Sequence, residues 1–377
     1  MSDQVDKLPE QETDSFPCPA CGGQMRFDPG SQMLKCGYCD NAVELKSEGM
    51  TIQEYDFETA GEQASHDWGV GTVTVHCNSC GANSVMDKAE TANFCAYCGS
   101  SHVVQEEDDA GIRPESLIPF KIDRVKANQE FDKWIRKKWM APRALKNEHK
   151  TDRLTGVYVP HWTYDASTSS YYHCEVGHDY YVTETYTTTE DGKVVTKTRQ
   201  VRKTRWYPKS GHHGESFDDI LINASGKFYH EKMEKLEPFY LKDLVPYQPE
   251  YLSGFIAEKY AVNLQEGFTR AQGNMENTIR THIIQKQHAD HVRGLRVQTS
   301  FDDITYKHLL LPVWISSYIF NEKTYQYMVN GQTGEVQGEA PISWMKIALI
   351  VIALLGVIGL IILFANMNGP VPEPGLG

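Results

Sequence analysis

Positive charge is scarce at the start of this chain. Residues 1–112 hold five Lys and Arg against 20 Asp and Glu, a balance of −15, whereas residues 113–377 hold 32 against 30, a balance of +2. Nucleic-acid affinity comes from Lys and Arg that neutralise phosphates, so the first part opposes such contact. Signatures of nucleotide and hydrolytic chemistry are missing too. There is no GxxxxGK[ST], no GxGxxG after a strand, no GxSxG and no HExxH, and His230-Glu231 has no second His in register. The opening MSDQVDKLPEQETDSF lacks the basic start and apolar run of a signal peptide. Disulfides are therefore disfavoured at this end, and thiolate chemistry is expected.

What the first part does contain is paired cysteine. Eight of the nine cysteines fall in CxxC pairs, and only Cys174 stands outside them. Cys18, Cys21, Cys36 and Cys39 form one C-x2-C-x14-C-x2-C set. Cys77, Cys80, Cys95 and Cys98 form the second, each 59 positions after its counterpart. Gly22 matches Gly81 and Tyr38 matches Tyr97, as an internal duplication requires. Two residues between cysteines let a tight turn aim both thiolates at one ion. Two such turns on facing hairpins complete a closed S4 shell that suits zinc. Each module is too small for a core of its own, and the metal supplies that stability. Rubredoxin-like iron has the same geometry; a redox dithiol needs a βαβ context that is absent; a catalytic zinc needs an open position that four thiolates deny. The reading is two structural Zn2+, and the acidity of the region that holds the ribbons favours a basic or polar protein partner over DNA.

The end of the chain lacks charge altogether over Ile347–Ala365, 19 residues long. At about 1.5 Å per residue this run spans about 28 Å, the thickness of a hydrocarbon core. Trp344 takes the interface position and Lys346 can snorkel. The tail NMNGPVPEPGLG has no Lys or Arg, so the positive-inside bias puts the body in the cytoplasm and the tail outside.

Between the two ends the pattern predicts an α+β body. Asp123 caps a helix, RVKANQEFDKWIRKKWM, with Val125, Phe131, Trp134, Ile135 and Trp139 largely on one face. Short strands follow: GVYVPHWTYDA, SSYYHCEV, DYYVTETYTTT, KVVTKTRQVRKTRWY and DDILINA, with a hairpin turn at Asp191-Gly192. Helices are expected near 58–66, 227–236 and within 263–287, before strands return at 291–338. VPHWTY and LPVWIS echo one another, and their tryptophans read as core. Residues 193–209 hold seven basic side chains and no acidic one, and residues 121–153 hold eleven against five. Lys197, Arg199, Arg202, Lys203 and Arg205 are the candidate surface for anionic lipid or a partner. His173, Cys174, His178, His212 and His213 could converge on a third metal, but a half-buried cysteine and loop histidines explain them more simply. His288 and His291 read as cations at a helix C-terminus.

The runs IPFKIDR, FDKWIRKKWMAP, LTGVYVPHWTYDA, LPVWISSYIF and YMVNGQTGEVQGEAPIS, with the paired ribbons and one terminal span, resemble a bacterial membrane family. Its members are labelled TFIIB-type zinc ribbon-containing or primosomal helicase-like proteins. The resemblance implies a zinc role for the eight paired cysteines and a place beside phage-shock-protein-A-type envelope stress systems. The helicase label has no phosphate loop or motor domain here to support it.

The organisation expected is a disordered N-terminus at 1–15, ribbon one at 16–46, a linker at 47–72 and ribbon two at 73–104. An acidic linker at 105–112, the α+β body at 113–341, a transmembrane helix at 344–365 and an extracytoplasmic tail at 366–377 complete it. The expected function is a non-enzymatic, single-pass membrane adaptor that recruits a cytosolic protein. The alternative is a membrane-tethered nucleic-acid-binding or replication-associated protein.

Overall fold

The structure, a computed structural model, describes residues 16–46, 49–60, 68, 72–79, 81–87, 95, 97, 100–101, 103–106, 111–142, 154–190, 193–226, 233, 235–320 and 323–367. The N-terminus 1–15, the Asp191-Gly192 turn, Cys80, Cys98, most of the helices expected near 58–66 and 227–236, and the tail beyond Met367 lie outside the described residues.

The chain opens on a three-stranded antiparallel ribbon of β1 (Met25–Asp28), β2 (Met33–Cys36) and β3 (Ala42–Glu44). β4 (Tyr55–Asp56), β5 (Thr72–Cys77), β6 (Asn83–Asp87), β7 (Val103–Glu106) and β8 (Ser116–Leu117) follow. Helix α1 (Arg124–Lys137) precedes two long strands, β9 (Thr155–Glu190) and β10 (Lys193–Asn223). Then come β11 (Val245–Pro246), β12 (Ile256–Glu258) and helix α2 (Leu264–Lys286). β13 (His291–Phe320), β14 (Lys323–Asn330), β15 (Val336–Gly338) and helix α3 (Trp344–Met367) close the chain. Among the described residues, all strands outside the first ribbon join one sheet, with β9 and β13 at its centre.

Five of the expected short strands are two continuous ones. β9 runs for 36 residues and β10 for 31, paired antiparallel from Asn223↔His161 out to Lys193↔Glu190. Two of the expected strands stop just short of Gly177 and Pro208. Gly177 instead makes room for Thr204 and Trp206 opposite it, where a Cβ would lie 2.7 Å from the Thr204 methyl. Pro208 is tolerated because, among the described residues, β10 pairs only with β9, so one of its edges needs no N–H. β13 likewise fuses two expected strands through bulges at Arg293/Arg296 and Asp302/Thr305, where Gly294 and Asp303 take positive φ.

The inner half of β9 is buried on both faces. Tyr158 faces Phe120, Phe255 and Trp314, with the Phe120 and Phe255 rings stacked at 4.3 Å. Val157 and Val159 face Leu309, Leu311 and Val313 on the other side. The echoed Pro-x-Trp segments lie side by side, Leu310 opposite Pro160 and Pro312 opposite Tyr158. Trp162 and Trp314 are both buried, and their indoles donate to Val262 O and Ile122 O.

The sequence segment read as a linker is built into this body wherever it is described. Tyr55 and Asp56 pair with β13, Trp68 is buried, and Glu54 bonds the buried Lys307 ammonium at 2.8 Å. Lys307 also meets Asp219 at 2.7 Å, so its charge is compensated on two sides.

Asp123 caps α1 by accepting from Lys126 N at 2.7 Å. The helix stops at Lys137, and its buried stripe is Ala127, Phe131 and Ile135. Val125 and Trp139 are exposed, against the expected single apolar face, because the i, i+4 spacing from Phe131 selects Ala127 and Ile135. Asn263 caps α2 in the same manner, and Ala271, Met275, Ile279 and Ile283 lay a stripe on Tyr172, Cys174 and Val176. Each large side chain so buried contributes about 1.5–3 kcal/mol.

Gly267 sits in the first turns of α2, where a Cβ would strike the Tyr164 hydroxyl, which itself donates to Leu264 O at 2.7 Å. Helix propensity alone would make Gly267→Ala stabilising by about 1 kcal/mol. The close approach reverses that sign, so thermal unfolding of Gly267→Ala should fall below the wild type; a raised midpoint would contradict this packing.

Candidate metal centre and membrane helix

Two knuckles with one backbone pattern build the first cysteine site. Cys18 N donates to Gly23 O and Gly22 N to Cys18 O; Cys36 N donates to Asn41 O and Asp40 N to Cys36 O. Gly22 and Asp40, one residue after each second cysteine, take φ of 73° and 57°. These turns bring Cys18 Sγ to 3.5 Å from Cys39 Sγ and Cys21 Sγ to 3.5 Å from Cys36 Sγ. All four sulfurs lie within 4.8 Å of one another, close to the edge of about 3.8 Å that tetrahedral zinc–thiolate bonds require. None is in a disulfide.

Their ionisation conflicts. Burial opposes ionisation of Cys18, but the N–H groups of Ala20 and Cys21 and the neighbouring thiols overcome it and lower its pKa to about 6. Cys36 is lowered by the N–H groups of Tyr38 and Cys39. The Asn41 N–H favours the Cys39 thiolate, yet the sulfurs of Cys21 and Cys18 outweigh it and push Cys39 up to about 12. Four thiolates this close need a cation among them. The donor set fits a metal ion.

The second set is described in part. Cys77 N donates to Ala82 O, Gly81 N to Cys77 O and Cys95 N to Ser100 O, the same offsets as in the first site, and Gly81 has φ of 74°. Cys77 and Cys95 are buried; Cys80 and Cys98 lie outside the described residues.

Both modules are fastened to the body. Ser253 Oγ donates to Met25 O at 2.7 Å, Phe27 packs edge-on against Tyr251, and Gln32 reaches Phe120 O. Cys18 and Cys36 are turned inward, while Cys21, Tyr38 and Cys39 face solvent. The duplicated tyrosines part company: Tyr38 is 84% exposed and Tyr97 only 2%. Tyr97 donates to Glu258, as do Ser225 Oγ and Gly226 N, all within 3.2 Å. Burial pushes the Glu258 carboxyl up to about 7 despite these donors. Nothing in FIAEKY marks this buried carboxyl in the sequence.

The candidate basic side chains lie on the outer hairpin, past Gly177↔His291, the last pair that β9 makes with β13. Beyond that point β9 and β10 form a bare two-stranded ribbon about 40 Å long. The register puts Lys197, Arg199, Lys203 and Arg205 on one face with Tyr180 and Tyr186, and Arg202 on the other with Tyr181. Arg199 and Lys203 both reach Glu184, Arg202 reaches Asp179, and Arg205 stacks over Tyr180. Much of this charge is thus balanced across the strands.

The five residues considered for a third metal do not converge. Cys174, His178 and His213 share a sheet face, and His173 and His212 take the opposite one. Cys174 is buried under α2, and His291 bonds Asp179 at 3.1 Å instead of standing free at a helix end.

Helix α3 is apolar over the 21 residues Trp344–Phe364, long enough to cross a membrane, and none of that window is buried. Lys346 is tied to the body. Its ammonium donates to Trp139 O and Ala141 O at 2.6 and 2.7 Å, and Ser343 N bonds Met140 O. The end of α1 is therefore clasped to the start of α3.

No family model matches the chain, and no solved structure matches it. The chain is 30% identical over 349 residues to a protein of Bacillus subtilis (strain 168) named "Uncharacterized protein YdjG", a match that covers 89% of this chain and 92% of that one.

Cys21→Ser should lower the metal content of the full chain by one equivalent in elemental analysis, and Cys174→Ser should leave it unchanged. An unaltered count in Cys21→Ser would separate these sulfurs from any metal. Glu258 gives a pH dependence. Its carboxyl keeps its proton to higher pH in the folded chain than the ordinary 4.5, so the folded state binds more protons through that window. Stability is then fullest below 4.5 and falls as pH rises through about 7, by about 3 kcal/mol at most. Glu258→Gln should flatten that part of the melting temperature against pH; an unchanged slope would place the titration elsewhere.

Proposed function

The chain belongs to the same family as YdjG, and we propose that it works as a non-enzymatic, single-pass membrane adaptor whose metal-bound ribbons recruit a protein partner. The observation that carries this reading is the pair of rigid attachments. The first ribbon is fastened to the core through Met25, Phe27 and Ser253, and the body is clasped to the apolar helix through Lys346. A ribbon face bearing Cys21, Tyr38 and Cys39 is thereby held at a fixed offset from the bilayer.

The metal in this reading is zinc, at two sites. S4 donors at C-x2-C spacing favour it, and the repeated knuckle hydrogen bonds at Cys77 and Cys95 support the second site. Zinc would close each shell and stiffen a module with little core. Reduced thiolates and Lys346 on only one flank of α3 support a cytoplasmic body and an outer tail. The −15 balance of residues 1–112 favours a basic or polar protein over nucleic acid. The resemblance to membrane-anchored zinc ribbon proteins points to a phage-shock-protein-A-type partner. Confinement to the membrane raises the effective concentration of a weak partner without a new contact. The hairpin face of Lys197, Arg199, Lys203 and Arg205 with Tyr180 and Tyr186 suits anionic headgroups, since tyrosine and basic side chains both favour the interface.

Affinity purification of the tagged full chain from solubilised membranes tests the reading. The wild type should bring down a cytosolic protein that the Cys21→Ser/Cys39→Ser variant loses, with both chains still in the membrane fraction. Retention of every wild-type partner by that variant would reduce the ribbons to scaffolding and overturn the proposal.

A further inference from the structure

A second group of metal-ligating side chains lies far from the cysteines, at the root of the long hairpin. His213 and Glu215 are two apart on β10, so the pleat points both toward the face that α2 covers. His282 comes down from the flank of α2, one residue before the buried Ile283. His213 Nε2 lies 3.0 Å from Glu215 Oε2, and His282 Nδ1 lies 3.0 Å from the same carboxylate. The three donor atoms fall within 4.8 Å of one another.

We infer that His213, Glu215 and His282 form a zinc site that clamps helix α2 to the base of the β9–β10 hairpin. Two imidazoles and a carboxylate are a zinc donor set, and bonds of about 2.0–2.2 Å put tetrahedral donors about 3.3 Å apart. The two imidazole–carboxylate distances of 3.0 Å need to open by only a few tenths of an ångström. Thr168 Oγ1 donates to Glu215 O at 2.7 Å and fixes the backbone that carries the carboxylate. The three side chains differ in exposure, at 14% for His213, 22% for Glu215 and 45% for His282. An ion can enter past His282 and complete its shell with water. Such a site exchanges its metal far more readily than a closed thiolate shell. It also explains a use for this corner of the fold. α2 is packed across β10 here, and further out, past Gly177↔His291, the hairpin projects with only two strands among the described residues. A cross-link there stiffens the lever without adding core.

The full-length chain in detergent micelles, with its cysteine-bound metal in place, provides the test. Equilibrium dialysis against Zn2+ should add one equivalent that a mild chelator removes while the thiolate-bound metal stays. Co2+ in its place should add ligand-field bands without a sulfur charge-transfer band. His282→Asn sits on a half-exposed helix position and should leave the fold intact; it should abolish the added equivalent, as should Glu215→Gln. Added Zn2+ should raise the melting temperature of the wild type and not of His282→Asn. A dialysis that finds no equivalent beyond the thiolate-bound metal overturns the inference. So does an extra equivalent that persists in both variants.

Discussion

The antiparallel register that sets Leu310 opposite Pro160 and Val313 opposite Val157 carries the rest of the molecule. These stretches of β9 and β13 are buried on both faces, which only a strand pair at the centre of a layered body can be. One face receives α1 and the first ribbon, and the other receives Cys77, Cys95 and Tyr97 of the second. β12 pairs with β9 on one edge and with β6 on its other, so the second ribbon continues the sheet itself. A slip of one residue between β9 and β13 would exchange the two faces. Valines would then stand where Tyr158 packs against Phe120 and Phe255, and the ribbons would lose the shape of the surface on which they rest.

Burial falls away along β9 in three stages. Residues 156–164 are buried on both faces, 166–176 alternate, and those past His178 are exposed or half-buried. The candidate metal sites lie where this gradient or chain length leaves too little apolar contact: the tips of the small ribbons and the root of the projecting hairpin. An isolated two-stranded hairpin is marginal in water. Here its outer part is supported by cross-strand pairs such as Arg199–Glu184 and by Arg205 over Tyr180, contacts that solvent weakens. The acidic partners that hold the hairpin together are the same groups that subdue its positive charge.

Local chemistry was legible in the sequence and strand length was not. The caps at Asp123 and the helix within 263–287 follow from side chains that act on their own neighbours. The four-sulfur cluster follows from CxxC spacing for the same reason. Glycine and proline misled because their usual role as breakers assumes a strand with partners on both sides; at Pro208 one edge is open, and at Gly177 the missing side chain is required by Trp206. Glu258 and the His213–Glu215–His282 group were invisible because each joins residues more than 30 positions apart, through contacts that only the fold creates. His213 had been noticed for its histidine neighbours, yet strand alternation sends His212 to the other face and α2 supplies the true companion.

The clasp at Lys346 changes what the basic end of α1 can do. A lysine that donates to Trp139 O and Ala141 O is no longer free to reach headgroups, so it serves as a bracket between body and span. With α3 in a bilayer, that bracket holds the last turn of α1 at the entry point. Arg136 and Lys137 close the helix, and Trp139 and Trp344, 66% and 82% exposed, flank the junction. Tryptophan favours the interface for its amphipathic ring, and basic side chains there meet anionic lipid at about 1 kcal/mol each. The chain's charge asymmetry then has a geometric sense. Its basic residues gather at the junction and on the hairpin, while the excess acid of residues 1–112 lies almost wholly outside the ribbons, in 1–15, 47–72 and 105–112. Repulsion from an anionic leaflet would act on those flanking segments, and the nearly neutral ribbons would follow the body to which they are fixed.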